Sequence, residues 1–214
     1  MFSYAYDLLM ADVDYEALLE QFESYLKPHD FILDAGCGSG YFLLELVKKK
    51  YHAIGVDLDS DMLKIAQDKL TSLGLFTHLY EHDLRKPLYG EFDVIFMMFD
   101  VINYFKGAKT VLKNMYQSLE KGGLLIFDMY KEHVLDIYSH YEEEDIEPIP
   151  YHWQMTSKNR LLKHHITFES SEDDITQYVY PLNYYLDILK ELGFEYDVKD
   201  GLDERKHYII ARKI

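Results

Sequence analysis

The chain has 214 residues, of which 38 are acidic and 22 are basic, so its formal net charge at pH 7 is −16. This length fits one domain with room for a small insertion, and the acidic balance argues against DNA or RNA as a substrate, because phosphate binding needs basic patches. A single cysteine, Cys37, excludes an internal disulfide framework and multi-cysteine metal centres, and we expect no metal site. The N-terminal stretch lacks the basic start of a secretory signal and no apolar run is long enough to cross a membrane, so we expect a cytoplasmic protein without a membrane partner.

The first 130 residues alternate apolar strands with amphipathic helices. The apolar spacing predicts helices over 14–26, over 40–50, over 60–73 with Ser60 as its cap, and over 108–119. The stretches between them predict strands at 31–34, 52–56, 76–81, 92–97 and 124–128. Near-continuous apolar strands separated by such helices indicate the α/β class, with a doubly wound, mostly parallel sheet covered on both faces.

The pattern changes after residue 130. Residues 131–149 are mixed and include an acidic run at 142–145, which we interpret as a solvated loop, the alternative being that this run and Glu147 order a cationic substrate or a metal. Alternating stretches at 151–156, 161–170 and 175–180 predict antiparallel strands, and a helix at 182–192 and strands at 194–199 and 207–212 close the chain. The sequence therefore predicts one domain over 1–214, with a small antiparallel region inserted at 131–181 before the last helix and strand pair.

The stretch ILDAGCGSGYF at 32–42 joins the first predicted strand to a helix and carries glycines at every second position. Such strand-to-helix turns bind ligands in doubly wound sheets, and free amides at a helix N-terminus favour an anionic group. A tight turn without a ligand is the alternative interpretation. The spacing of Gly36, Gly38 and Gly40 is not the G-x-G-x-x-G of dinucleotide sites, which would need a small residue where Tyr41 stands.

Two aspartates give further information about the chemical identity of the ligand. Asp57 ends the second predicted strand, where an acidic residue can accept hydrogen bonds from both hydroxyls of a ribose. Asp83 follows the third predicted strand, where a carboxylate can accept from the amine of an adenine. Their alternative roles are a helix N-terminal acid for Asp57 and an ordinary loop residue for Asp83. We favour the two ligand roles.

The motifs DAGCGSG, GVDLD, HDL, FDVIFMMFDVINYF and LEKGGLLIFDM, in this order over about residues 30–130, resemble those of class I S-adenosylmethionine-dependent methyltransferases. The N-terminal YAYDLLMADVDYEAL is similar to a bacterial subgroup that acts on small molecules. The resemblance implies a seven-stranded sheet whose last strand is antiparallel. It also implies S-adenosylmethionine as the cofactor and S-adenosylhomocysteine (SAH) as the product.

The resemblance also implies which residues contact the cofactor. Those at the methionine end would be Asp34 and the loop residues Gly36, Cys37 (through its backbone), Gly38 and Gly40. Those at the adenosine end would be Asp57 on the ribose, Leu58 packing on the adenine, and Asp83 and Leu84 reading its edge. Phe99 would lie beside the sulfonium, with Tyr4 and Tyr6 closing over the cofactor.

The sequence gives less information about the residues that bind the methyl acceptor. Asn103 follows the fourth strand in a sequence unlike the N-P-P-Y type, which argues against methylation of DNA bases or of protein glutamine. Tyr130 and His133 follow the fifth strand, so the candidates for a general base are Asn103, Tyr130 and His133, although His133 also fits a solvated helix residue. Trp153 with Tyr178 and Tyr180 could form an aromatic acceptor lid or simply the core of a small sheet.

These observations favour methylation of a small molecule at an oxygen or a nitrogen atom. The negative net charge of the protein favours a cationic or neutral acceptor, and we expect a monomer or a homodimer. A nicotinamide-dependent oxidoreductase fails on the glycine spacing and on the missing Tyr-x-x-x-Lys, since Ala108 stands four residues after Tyr104. A non-catalytic S-adenosylmethionine-binding protein and a tRNA methyltransferase remain as alternatives, and the acidic surface argues against the second.

Overall fold

The computed structural model describes residues 2–214, with side chains from Ser3 onward. Its helices are α1 (Phe2–Leu9), α2 (Tyr15–Glu20), α3 (Tyr41–Lys48), α4 (Ser60–Ser72), α5 (Ala108–Ser118), α6 (Val134–Ile137) and α7 (Leu182–Leu192). Its strands are β1 (Phe31–Ala35), β2 (His52–Asp57), β3 (Leu79–Glu81), β4 (Phe92–Met97), β5 (Leu119–Tyr130), β6 (His140–Asp145), β7 (Tyr151–Lys158), β8 (Leu161–Phe168), β9 (Ser171–Tyr178), β10 (Phe194–Lys199) and β11 (Lys206–Lys213). Within residues 2–214, no helix combines the length and the apolar character needed to span a membrane.

Seven strands form the main sheet in the order β10-β11-β5-β4-β1-β2-β3. Strand β1 pairs in parallel with β2 and β4, whereas β11 runs antiparallel to both β5 and β10. The α/β class and the antiparallel last strand are thereby confirmed. The parallel strands place their carboxyl ends at one edge of the sheet, where ligands bind in such folds.

Helices cover both faces of this sheet, as the unbroken apolar strands predict. On one face α5 and α7 pack against a buried layer that includes Leu33, Ile95 and Leu125. On the other face α2 and α3 pack against a layer that includes Ile32 and Phe96. Neighbouring residues of one strand thus enter two different cores, and this double burial explains why the strands lack polar alternation.

A second sheet, with the antiparallel order β6-β7-β8-β9, lies between β5 and α7 in the chain. The expectation of a solvated loop at 142–145 is wrong, because these acidic residues belong to β6. Tyr141 and Glu143 lie on the more buried side of that strand while their neighbours are exposed. Two of the predicted strands in this region are also longer or begin earlier than expected, since β7 extends to Lys158, the left-handed residues Asn159 and Arg160 make the β7–β8 hairpin, and β9 begins at Ser171. The bounds 131–181 of a functional insert stay a prediction.

Three boundaries in the first half differ from the sequence prediction. The helix predicted over 14–26 ends at Glu20, and a short 3-10 turn follows at Glu23–Tyr25. Asp59, not Ser60, caps α4, because its carboxylate accepts from the amide of Asp61 at 2.8 Å. Strand β3 spans only Leu79–Glu81 because it pairs with β2 over three residues.

Candidate active site

The glycine loop between β1 and α3 is closed by its own hydrogen bonds. The amides of Gly36 and Cys37 donate to the carbonyl of Val56 at 2.8 and 2.9 Å, and that of Gly40 donates to the carbonyl of Cys37 at 2.9 Å. The Gly38 amide donates to Oδ2 of Asp57 at 2.8 Å. These four amides therefore hold the loop itself, and the expectation of an anionic group at the helix N-terminus stays a prediction.

At two of the three loop positions, a side chain larger than glycine would clash with a neighbouring residue. At the third position, it would project into open space. All three have positive φ, between 51° and 83°. A Cβ on Gly36 would lie 2.7 Å from a methyl group of Val101, and one on Gly40 would lie 2.7 Å from Cβ of Ala66. A Cβ on Gly38 would meet nothing within 4 Å, because Gly38 borders open space.

Asp34 is a buried carboxylate beside this loop. Its side chain is 2% exposed, and its Oδ2 atom has no hydrogen-bond partner among the described residues. Burial, together with the charge of Asp57, raises the pKa of Asp34 to about 8, while the Leu43 amide opposes that shift. An unpartnered buried oxygen is costly, so Asp34 is suited to bind a cationic group of a ligand.

Asp57 links the loop to the end of β2. One oxygen accepts from Gly38, and the other accepts from the amide of Asp59 at 2.9 Å. A carboxylate offers about four lone-pair sites, so Asp57 retains acceptor capacity toward a ligand. Its role in shaping the loop was not foreseen from the sequence.

A first cavity of about 390 Å³ opens beside these carboxylates. Eleven of the twelve residues predicted from the sequence to contact the cofactor line it: Tyr6, Asp34, Gly36, Cys37, Gly38, Gly40, Asp57, Leu58, Asp83, Leu84 and Phe99. Leu58 is 58% exposed at the rim. The Asp83 carboxylate accepts from Arg85, which lowers the pKa of Asp83 to about 2. The sequence prediction missed Tyr41, His82 and Arg85, which follow the same strand ends.

Helix α1 is fastened beside the first cavity. Ser3 donates to Asp59 at 2.9 Å, and the hydroxyl of Tyr41 donates to the carbonyl of Asp7 at 3.2 Å. Lys69 pairs with the Asp7 carboxylate and also donates to the glycine-loop carbonyl of Ser39. Of the two N-terminal tyrosines predicted to close over the cofactor, Tyr6 lines the cavity.

The other N-terminal tyrosine, Tyr4, is 57% exposed and lies outside the lining of the first cavity. The position of this side chain therefore gives no support to its expected role in closing over the cofactor. The sequence motif that contains both tyrosines does not distinguish the inward side of α1 from the outward side.

A second cavity of about 610 Å³ lies beside the first, between the main sheet and the second sheet. Four residues line both cavities, and we call them the junction: Tyr6, Met10, Phe99 and Tyr104. Of the three candidate bases, only Tyr130 lines this second cavity.

The other two candidate bases lie elsewhere. Asn103 is fully buried, its amide donates to the carbonyl of Tyr178 at 2.8 Å, and its oxygen accepts from the amide of Tyr130 at 3.1 Å. It therefore ties the two sheets together and does not reach either cavity. His133 is exposed just before α6 and lines neither cavity, as its alternative interpretation states.

A buried ion cluster borders the second cavity. Lys206, which is 5% exposed, lies 2.6 Å from Asp100 and 3.0 Å from Asp128. Burial opposes its charge, but the two carboxylates raise the pKa of Lys206 well above its ordinary value. Asp128 also accepts from the amides of Phe99 and Asp100. Sequence reasoning did not assign these residues, because nothing in the pattern around Lys206 distinguishes it from a surface lysine.

The aromatic side chains that line the second cavity are not the group that the sequence predicts. Tyr178 and Tyr180 stack on each other, with ring centroids 6.4 Å apart, and line neither cavity, so their predicted grouping with Trp153 is wrong. Trp153 instead lines the second cavity with Tyr138 and Tyr141. The strand period that places consecutive residues on opposite faces governs which rings meet.

The comparisons with known proteins agree with this geometry. Residues 32–123 match a family model described as a methyltransferase domain. "Putative methyltransferase YqeM" of Bacillus subtilis is 28% identical over 212 residues, which cover 91% of this chain and 85% of the relative. An S-adenosylmethionine-dependent methyltransferase from Clostridium acetobutylicum has a TM-score of 0.85 at 24% identity, covering 99% of this chain and 97% of that one. CalS10 with bound S-adenosylmethionine, an amino pentose methyltransferase from Micromonospora echinaspora, has a TM-score of 0.75 at 18% identity, covering 98% and 96%.

The two solved structures show a shared fold at these identities. The methyltransferase-domain match covers less than half of the chain, and its residues include most of the lining of the first cavity.

Proposed function

We propose that this protein methylates a small-molecule acceptor that binds in the second cavity, while the first cavity holds S-adenosylmethionine. The observation that carries the proposal is the junction, since Tyr6, Met10, Phe99 and Tyr104 line both cavities. Two ligands that share a wall can be held with their reacting atoms close together, and this alignment supplies much of the rate enhancement of a transfer reaction.

The residues of the first cavity fit the cofactor. The unpartnered Oδ2 of Asp34 suits the ammonium of the methionine end, and the open space beside Gly38 admits a ligand against the backbone. Asp57 suits the ribose hydroxyls, and the exposed Leu58 suits one face of the adenine. The carboxylate of Asp83 already accepts a hydrogen bond from Arg85. An adenine amine would therefore be a second donor to the same carboxylate.

When bound, S-adenosylmethionine supplies a methyl group on a positively charged sulfur, so the transfer needs no activation of the leaving group. The protein's part is to align the acceptor and exclude water. The rings of Tyr6, Phe99 and Tyr104 form an apolar wall at the junction that serves both purposes. Aromatic faces also favour a cationic centre.

The charges of the second cavity favour an amine as the acceptor. Six carboxylates line it, from Asp14, Asp100, Asp128, Glu143, Asp203 and Glu204, against two basic side chains, Lys206 and Arg205. Both basic groups are paired, Lys206 within the ion cluster and Arg205 with Asp203 at 2.8 Å. The Glu143 carboxylate accepts from the hydroxyls of Tyr141 and Tyr151, and its hydrogen bond raises the pKa of Tyr141 to about 12. CalS10, which has the same fold, is an amino pentose methyltransferase, so a protein of this fold acts on a substrate that carries an amine.

The test is a two-stage measurement. Calorimetry with SAH and with NAD first establishes which ligand the purified protein binds, and we expect SAH alone. Release of SAH from S-adenosylmethionine is then followed with amino sugars and small diamines, each beside its hydroxyl analogue. Turnover of amines only supports the proposal, and turnover of alcohols only contradicts the amine assignment. SAH binding without any turnover across the panel favours the non-catalytic alternative.

Replacing Gly38 with alanine should separate folding from cofactor binding. The new methyl group meets no atom of the described residues within 4 Å but projects beside the first cavity. We expect stability to fall by about 1 kcal/mol, the cost of a side chain at positive φ, while SAH affinity falls by at least about tenfold. Gly74→Ala is the matched control, since Gly74 also has a positive φ and open surroundings but lies outside both cavities. Equal SAH binding by the two variants would contradict the assignment.

Replacing Lys69 with methionine should speed the exchange of SAH. The change removes the ion pair with Asp7 and the bond to Ser39 that hold α1 beside the glycine loop. Losing bonds worth about 1 kcal/mol should raise the SAH dissociation rate roughly fivefold, measured by stopped-flow mixing. Lys64→Met, on the exposed side of the same helix, is the control. An unchanged rate in Lys69→Met would show that α1 does not limit release.

A further inference from the structure

The turn after β4 has an unusual backbone. Phe99 and Asp100 have φ values of 62° and 54°, in the left-handed region that residues with side chains rarely adopt. Such a conformation persists only where the surroundings hold it. Asp128 accepts from both of its amides, and Lys206 pairs with the carboxylates of Asp100 and Asp128. Because Phe99 belongs to the junction, this turn sets the wall between the two cavities.

The second sheet also holds this turn. Gln177 of β9 donates to the carboxylate of Asp100. Nε2 of His164 in β8 lies 3.0 Å from the side-chain oxygen Oε1 of Gln177, and Nε1 of Trp153 in β7 lies 3.2 Å from Nδ1 of His164. These four residues form a hydrogen-bond chain, the Trp153–Asp100 chain, along the wall of the second cavity, and none of them lines the first cavity.

The direction of every bond in this chain is fixed. An indole can only donate, so Nδ1 of His164 accepts and the histidine proton sits on Nε2. That proton points to the side-chain oxygen Oε1 of Gln177, so the side-chain nitrogen Nε2 of Gln177 faces the carboxylate of Asp100. Burial lowers the pKa of His164, against the opposing effects of Gln177 and Asp100, so the ring is neutral. Each donor in the chain has one acceptor. A displacement of Asp100 therefore changes the hydrogen bond from Gln177, and through it the bonds of His164 and Trp153.

We propose that Gln177 and His164 are positioning residues that hold the Phe99–Asp100 turn from the second sheet and couple binding in the first cavity to Trp153 in the second. This inference rests on the proposed function, since it takes the first cavity as the cofactor site. A ligand that packs on Phe99 displaces the turn, and the carboxylate of Asp100 moves with it. Trp153 is thereby reoriented in the wall that contacts the acceptor.

Trp153 is the only tryptophan of the chain, so its emission reports on this wall alone when tyrosine is not excited. SAH is titrated into each protein while calorimetry measures binding and fluorescence measures Trp153. We expect SAH to change the emission of the unmodified protein. In Gln177→Leu, SAH affinity should stay within about tenfold, the effect of one hydrogen bond, and the emission change should disappear. Gln154→Leu, on the exposed face of the same sheet, should keep the change.

A second pair of variants keeps the test decisive if Gln177→Leu does not fold. Glutamine at position 164 offers a carbonyl to Trp153 and an N–H to Gln177, so His164→Gln should retain part of the emission change. His164→Leu should lose it. His165→Leu is the matched control, because His165 points to the outer face of the sheet and bonds to Asp174 at 2.9 Å. We expect it to behave as the unmodified protein does.

Two outcomes would overturn the inference and leave the proposed function intact. The first is SAH binding by calorimetry with no emission change in the unmodified protein. The second is a full emission change in Gln177→Leu or His164→Leu. Absence of SAH binding by calorimetry is a different result, since it would remove the cofactor assignment and the inference together.

Discussion

Replacing Asp34 with asparagine is expected to weaken SAH binding by roughly 10- to 100-fold, because a charged hydrogen bond is worth about 1.5–3 kcal/mol. The shape of the site is kept, since the two side chains have the same size. Calorimetry gives the affinity, and the same experiment in buffers of different ionisation enthalpy counts protons. With the pKa of Asp34 at about 8 in the free protein, SAH binding at pH 7 should release a proton from the unmodified protein. Asp34→Asn should lose that contribution.

The same variant should make the ligand-free protein more stable. The folded pKa of Asp34 lies above its ordinary value of 3.8, so the unmodified protein is favoured at low pH and loses stability as the pH rises from about 4 to about 8. Asparagine does not titrate, and we expect its unfolding free energy to exceed that of the unmodified protein by about 1–3 kcal/mol above pH 8. Denaturant titrations at several pH values measure this difference. Equal stability and equal SAH affinity would show that Asp34 is not an ionised ligand contact.

Replacing Asp57 with alanine should abolish measurable SAH binding and loosen the glycine loop. The change removes the acceptor of the Gly38 and Asp59 amides as well as the proposed ribose contact. Leaving these two partly buried donors unpaired costs up to about 1–3 kcal/mol each, so the melting temperature should fall together with the affinity.

A matched control separates these two effects. Asp30 is also a buried aspartate that accepts from a backbone amide, that of Lys27 at 2.7 Å, but it lines neither cavity. Asp30→Ala should lose comparable stability and bind SAH normally. Full SAH binding by Asp57→Ala would contradict the ribose assignment and leave Asp57 with a purely structural role.

The sequence predicts the main sheet and the lining of the first cavity well, for a physical reason. Strands buried on both faces carry unbroken apolar runs, and the residues that follow them must meet at one edge of a parallel sheet. Asp34, Asp57 and Phe99 therefore come together from chain order alone. The motif resemblance then indicates which ligand such an edge holds.

The second cavity could not be predicted in the same way. Lys206 and Asp100 meet within the main body, but Gln177 reaches Asp100 only because the second sheet docks on the main one, and no local pattern encodes that docking. The acidic residues of β6 led to the prediction of a loop, because a run of charged residues usually lies in a solvated segment. The alternation of Tyr141 and Glu143 with exposed neighbours is the pattern of a strand. Position near a strand end was also an insufficient guide to orientation, since Tyr130 lines the cavity whereas Asn103 is fully buried.

The most direct test of the account is a crystal structure of the protein with SAH. We expect the ligand in the first cavity, with its ammonium at Asp34, its ribose at Asp57 and its sulfur at the junction, facing the second cavity between Phe99 and Tyr104. SAH bound elsewhere, or bound with its sulfur turned away from the junction, would contradict the assignment of the two cavities as neighbouring cofactor and acceptor sites.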